Sequence, residues 1–212
     1  MIESPTPAVI ARCRELGIGQ CGLGSITNFV RTAYYHLSLP GTLKADRHLA
    51  FNSAVRAATG RIACQGRHGS AIWMSRIISE GANALRISLS PEQRLAWSAA
   101  VTLEHQDPVR EVERWALAQG HPVRSVDQVV ARLLEYPPVV VLRSEEAKIL
   151  NHFRSAGRPE ERYAGLIDVM TVSDSTATYF AIKAGRADRP YRGKYFDPFQ
   201  AFLNEPFTGS AS

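Results

Sequence analysis

Apolar residues recur at helical spacing through most of the first hundred positions. Pro7 to Leu16 reads as a short helix, with Thr6 as its cap, Pro7 at its first position and Gly17 just past its end. Gly17-Ile18-Gly19-Gln20-Cys21-Gly22-Leu23-Gly24 then reads as a glycine-rich turn. It contains a G-x-G-x-x-G, but a helix and not a strand precedes it, so the match carries no dinucleotide site. Ile26, Phe29, Val30, Ala33 and Leu37 predict a second helix over Ser25 to Leu37. Leu43 to Thr59 predicts a third, stopped by Gly60, and Ala71 to Ala84 a fourth, which Leu85 to Leu89 either extends or leaves as a strand. Ser90 and Pro91 open a short helix that ends near Ala99.

The pattern changes at Val101-Thr102-Leu103-Glu104, a run that reads as a strand and stops at Pro108. Val139-Val140-Val141-Leu142, an unbroken apolar run after Pro137-Pro138, is a second strand. Ser144-Glu145-Glu146 then starts a helix that carries Asn151. Between the strands, Pro108 to Gln119 and Ser125 to Tyr136 fit two amphipathic helices, so an αα-hairpin is inserted into a β-hairpin. Asp168 to Gly185 predicts a strand and then, over Ala177 to Lys183, a helix or strand. The expected fold is α+β, mostly helical, with a small hairpin-helix core. Its divisions are a basic helical region over 1–100, the hairpin-helix core over 101–170 and a C-terminal arm over 171–212.

Composition narrows the picture. The chain has 212 residues, 45% hydrophobic and 21% charged, which is enough to bury a core. It has no apolar run of membrane-spanning length and no signal-like N-terminus, so the cytoplasm is the expected location and no membrane is an expected partner. Three cysteines, Cys13, Cys21 and Cys64, cannot close a disulfide framework and read as thiols. With His68 they make four potential zinc donors, without a C-x-x-C knuckle to support them. The net charge of +5 is uneven: residues 1–100 carry 11 Lys and Arg against 5 Asp and Glu, and residues 101–170 carry 9 against 11. Such a basic half suits a surface that tracks phosphates, and equally a solvated arginine-rich surface.

The chemistry lies at the strand ends. Glu104 and the Asn151 amide offer oxygen ligands to a hard divalent cation, and a neutral histidine, His105, beside it can take a proton from water. A backbone bend at Gln106-Asp107-Pro108 would let Glu104 and His105 converge. At these residues, in the frame Glu104-His105-x-x-Pro108-Val109, then Val139 to Asn151, then Arg162-Tyr163, the chain resembles the HNH nucleases. Their ββα-metal core is a strand ending in an acid-His or His-His pair, a second strand and a helix. The resemblance implies Glu104 and Asn151 as ligands of Mg2+ or Mn2+, His105 as general base, and hydrolysis of phosphodiester bonds in nucleic acid, with DNA the expected substrate. Arg67, in the turn Gly66-Arg67-His68-Gly69-Ser70, and Arg154, Arg158 and Arg162, near the proposed metal, are the expected phosphate contacts.

Two other readings stand beside this one. Asp107 with Glu146-Ala147-Lys148 has the residue types of a PD-(D/E)XK nuclease, but the second group falls at a helix start where that site needs a strand. The alternative to catalysis is a DNA-binding or protein-interaction module with a degenerate site, in which Glu104 and His105 merely finish a strand.

Overall fold

The computed structural model describes residues 5–39, 41, 43–118, 120–153, 159 and 161–185. Thr6 caps α1 (Pro7–Glu15) by accepting from the Val9 N–H at 3.4 Å, and Gly17 follows the helix at φ +69°. The predicted glycine turn is instead the start of α2 (Gln20–Ser38). A Cβ on Gly22 would stand 2.8 Å from Gly66 Cα, so this glycine serves a close backbone approach within a helix. α3 (Lys44–Ala63) runs through Gly60 and ends only where Gln65 and Gly66 take positive φ. The start of α2 therefore meets the end of α3, and the two pack antiparallel.

The predicted fourth helix is broken by a strand. α4 (Ala71–Met74) is a single turn, β1 (Ile77–Ser79) follows, and α5 (Glu80–Ser88) starts at Ser79, whose hydroxyl accepts from Ala82 N–H at 3.1 Å. A 3-10 turn at Pro91–Gln93 leads into α6 (Arg94–Ala100) and β2 (Val101–Glu104). Then come α7 (Val109–Ala116), the two-residue strands β3 (Leu117–Ala118) and β4 (His121–Pro122), and α8 (Val126–Glu135), which Ser125 and Gln128 start with a capping box. β5 (Val139–Leu142), α9 (Arg143–Phe153), β6 (Val169–Thr171) and α10 (Thr176–Lys183) complete the described chain.

The main sheet has the order β2-β5-β1-β6, with β5 parallel to β1 and the other pairs antiparallel; β3 and β4 form a separate ladder. The fold is thus a mostly helical α+β arrangement. One core joins α1, α2 and α3 to the inserted α7 and α8, around Ile26, Val30, Phe51, Val55, Val112 and Leu133. The sheet separates two smaller cores. Val140 and Val101 face Trp97, Ile78 and Phe180, whereas Val139 and Val141 face Ile149 of α9 and Tyr163. That alternation is the two-residue period of a strand buried on both sides. No helix among the described residues is long and apolar enough to cross a membrane.

Candidate functional site

Strand period decides where the Glu-His pair points. Glu104 pairs with Val139 across the β2–β5 ladder, so its side chain enters the apolar side that holds Val139, Val141, Ile149 and Tyr163. A carboxylate there needs partners, and it has them. Arg162 donates to Oε1 from Nε at 2.8 Å and from Nη2 at 2.6 Å, and the Tyr163 hydroxyl donates to Oε2. The Glu104 and Arg162 side chains are only 4% and 3% exposed. Burial pushes the Glu104 carboxyl above its ordinary value, and the hydrogen bonds from Tyr163 and Arg162 act against that rise. Burial and the adjacent carboxylate push the Tyr163 phenol up, so it keeps its proton and donates it.

His105 turns the other way. Its Nε2 lies 2.9 Å from the Thr59 hydroxyl on α3. Thr59 Oγ1 is also 3.0 Å from the carbonyls of Val55 and Arg56, so the hydroxyl bridges the α3 backbone and the His105 ring. Burial, with the charges of Arg56 and Arg162, pushes His105 down to about 4. The ring is neutral at pH 7 and a weak base. Asn151 is exposed on α9, two residues from the buried Ile149 and so about 200° around the helix from it. It faces away from the cluster that encloses Glu104.

These positions correct the metal-site expectation. Glu104, His105 and Asn151 diverge to an arginine and a phenol, a threonine, and solvent. A divalent cation at Glu104 would have to displace a guanidinium from a buried carboxylate and then share the space with it. Among the described residues no group of three or more His, Cys, Asp or Glu side chains can hold a metal ion. The donor set does not fit Mg2+ or Mn2+, and the HNH resemblance and the metal-dependent endonuclease it implied are withdrawn with it. The PD-(D/E)XK alternative fails in the same way. Asp107 is clamped by Arg132 Nε and Nη2 at 2.5 and 3.0 Å, and Glu146 and Lys148 lie on helix α9. For the zinc set, Cys13 and Cys64 are buried and Cys21 is exposed; burial pushes the thiols of Cys13 and Cys64 up to about 11.

Arg162, expected on a phosphate, is turned inward onto Glu104. Arg154 and Arg158 lie outside the described residues, as do residues 186–212 of the expected C-terminal arm. Arg67 lines a groove of about 190 Å³ with Gly60, Arg61, Cys64 and His68, where the Arg61 guanidinium sits 5.8 Å from the Phe29 ring centroid. A larger groove, about 310 Å³, lies between α3 and α7 and is lined by Lys44, His48, Arg110, Glu113 and Arg114. Neither is lined by Glu104, His105 or Asn151. The groove cations were missed in the sequence although a signal existed: Lys44 and His48, and Arg110 and Arg114, are each four residues apart on a helix. No family model, no curated protein and no solved structure matches this chain.

Proposed function

We propose that this chain is a non-catalytic nucleic-acid-binding module. The observation that carries the non-catalytic part is Glu104: the carboxylate adjacent in sequence to the expected base has both oxygens occupied from within the protein. Three features support nucleic acid as the partner: a net charge of +5, a sequence pI of about 9.3, and two surface grooves with cationic linings. Such a surface binds phosphates chiefly through counterion release, without base readout, and Kd values of roughly 1–100 μM near physiological salt are the scale for it.

The test is binding in EDTA. Labelled duplex DNA, single-stranded DNA and RNA should each shift in fluorescence anisotropy as protein is added, with affinity falling steeply as salt rises, and Mn2+ should produce no cleavage. Manganese-dependent nicking that Glu104→Gln removes would overturn the non-catalytic reading. Failure of the full chain to bind any of the three at low salt would overturn the binding reading.

A further inference from the structure

The groove between α3 and α7 has a geometry that says how such a partner is held. Lys44 and His48 on α3, and Arg110 and Arg114 on α7, form two rows of basic side chains, each about 6 Å along its helix axis. The helices pack together and all four residues line one groove. Lys44, Arg110 and Arg114 supply +3 and Glu113 supplies −1, so the Lys, Arg and Glu side chains of the lining sum to +2. The carboxylates are already engaged: His48 Nδ1 bonds Glu113 Oε1, and Arg114 bonds Glu111. Lys44 and Arg110 have no ion-pair partner among the described residues. Beside the groove, Arg47 Nη1 stands 3.4 Å from His121 Nε2, and its buried Nε makes no hydrogen bond.

We propose that this groove is the track for the sugar-phosphate backbone of the bound nucleic acid, an assignment that rests on the binding-module reading. The choice of a polyanion over a single small anion follows from exposure. Arg114 is 67% exposed, and an isolated ion pair in such a solvated place contributes little. A polymer differs, because every phosphate neutralised releases condensed counterions. One strand of a duplex carries a phosphate about every 3.4 Å of axis, so a row of ~6 Å accompanies about two of them. Long side chains on both walls can follow a backbone but offer no fixed pattern to base edges, so binding here is independent of sequence. The other groove is the weaker candidate, since Arg61 is turned onto Phe29 and Cys64 contributes a buried thiol to its lining.

The test uses the full chain, fluorescein-labelled duplex DNA and single-stranded RNA, and anisotropy in EDTA over a series of KCl concentrations. Lys44→Ala/Arg110→Ala/Arg114→Ala should weaken binding at low salt at least about tenfold and reduce the log-log salt slope by about 2 to 3. Lys44→Arg/Arg110→Lys/Arg114→Lys should stay within about twofold of the parent, because the charges are kept. Glu113→Gln, which removes the groove's one negative lining charge, should tighten binding. Arg94→Ala, at an exposed position on α6 outside the groove lining, is the control and should change nothing. Should the triple alanine variant fail to fold, Arg110→Glu alone repeats the measurement at a single exposed position. An alanine triple, or Arg110→Glu, that binds like the parent with the same slope would overturn the groove assignment while leaving the parent's own binding intact. A parent chain that binds neither polymer would overturn the module reading as well, so the two failures are distinct.

Discussion

Glu104 with Arg162 and Tyr163 under the sheet, and Lys44 with Arg110 and Arg114 along the groove, are both clusters built around basic side chains, yet they have opposite relations to water. In the first cluster the ion-pair side chains are 3 and 4% exposed, and both Glu104 oxygens take hydrogen bonds from Arg162 and Tyr163. In the second, Arg114 is 67% exposed, and Lys44 and Arg110 end without an ion-pair partner among the described residues. A buried charge must be satisfied by the protein itself, so the first cluster belongs to folding. A solvated charge is satisfied by water and can exchange it for a ligand, which is the role proposed for the second. Of the residues that looked catalytic in the chain, Glu104 falls in the first cluster, whereas His105 meets Thr59 and Asn151 meets solvent.

The comparison can be broken by removing charges one cluster at a time. Glu104→Ala removes a buried carboxylate that Arg162 and Tyr163 both bond and should cost about 3–5 kcal/mol in urea unfolding. Replacing both members with apolar residues, as in Glu104→Leu/Arg162→Met, should recover much of that loss. A Glu104→Ala chain as stable as the parent would mean the cluster is solvated after all.

His105 gives the next effect, through pH. Its folded value near 4 lies below its ordinary value of 6.5, so the unfolded chain takes up the proton first as pH falls. The stability due to neutral His105 is present in full above about pH 6.5, declines as pH drops toward 4, and levels off below. The total is up to about 3 kcal/mol. Glu104, whose carboxyl is raised, works in the opposite direction in acid, so the His105 contribution is isolated by subtracting the profile of His105→Phe from that of the parent. A variant profile parallel to the parent's between pH 6.5 and 4 would sink this account.

Gly22→Ala tests the helical core in place of either charge cluster. Its Cβ would meet the Gly66 backbone at 2.8 Å, and the crowding should cost about 1–3 kcal/mol in thermal melts. The smallest effect belongs to the groove: Lys44→Ala/Arg110→Ala/Arg114→Ala should change stability by no more than about 0.5 kcal/mol per site. Substantial destabilisation by the groove triple would erase the distinction between the clusters.

Much of the fold is legible along the chain where the signal is local. Thr6, Ser90 and Ser125 mark helix or turn starts that the structure contains, and the Val139 to Leu142 run is the strand it resembles. The antiparallel pairing of β2 with β5 is also as the spacing implied, but the two helices between them do not form the expected αα-hairpin: the β3–β4 ladder separates α7 from α8, and they pack against α3 and α2. β1 is different. Ile72, Trp73, Ile77 and Ile78 satisfy a helical pattern, and a three-residue strand is too short to show a period of two; it exists because β5 and β6 pair with it on either side. The glycines of α2 mislead for a related reason. Their usual meaning is a turn, and only the approach of Gly66 explains Gly22 inside a helix.

Local pattern sufficed for the helices with strong caps and periodicity, the two apolar strands, the basic balance and the placing of a Glu-His pair at a strand end. All of these depend on neighbours a few positions away or on simple counting. Tertiary structure alone decided that Glu104 meets Arg162 and Tyr163, that His105 meets Thr59, and that Asn151 meets water. A carboxylate is equally served by a metal ion, a guanidinium or a phenol. Which one it receives depends on what packing brings to it from 58 or 59 residues away, and no local pattern encodes that.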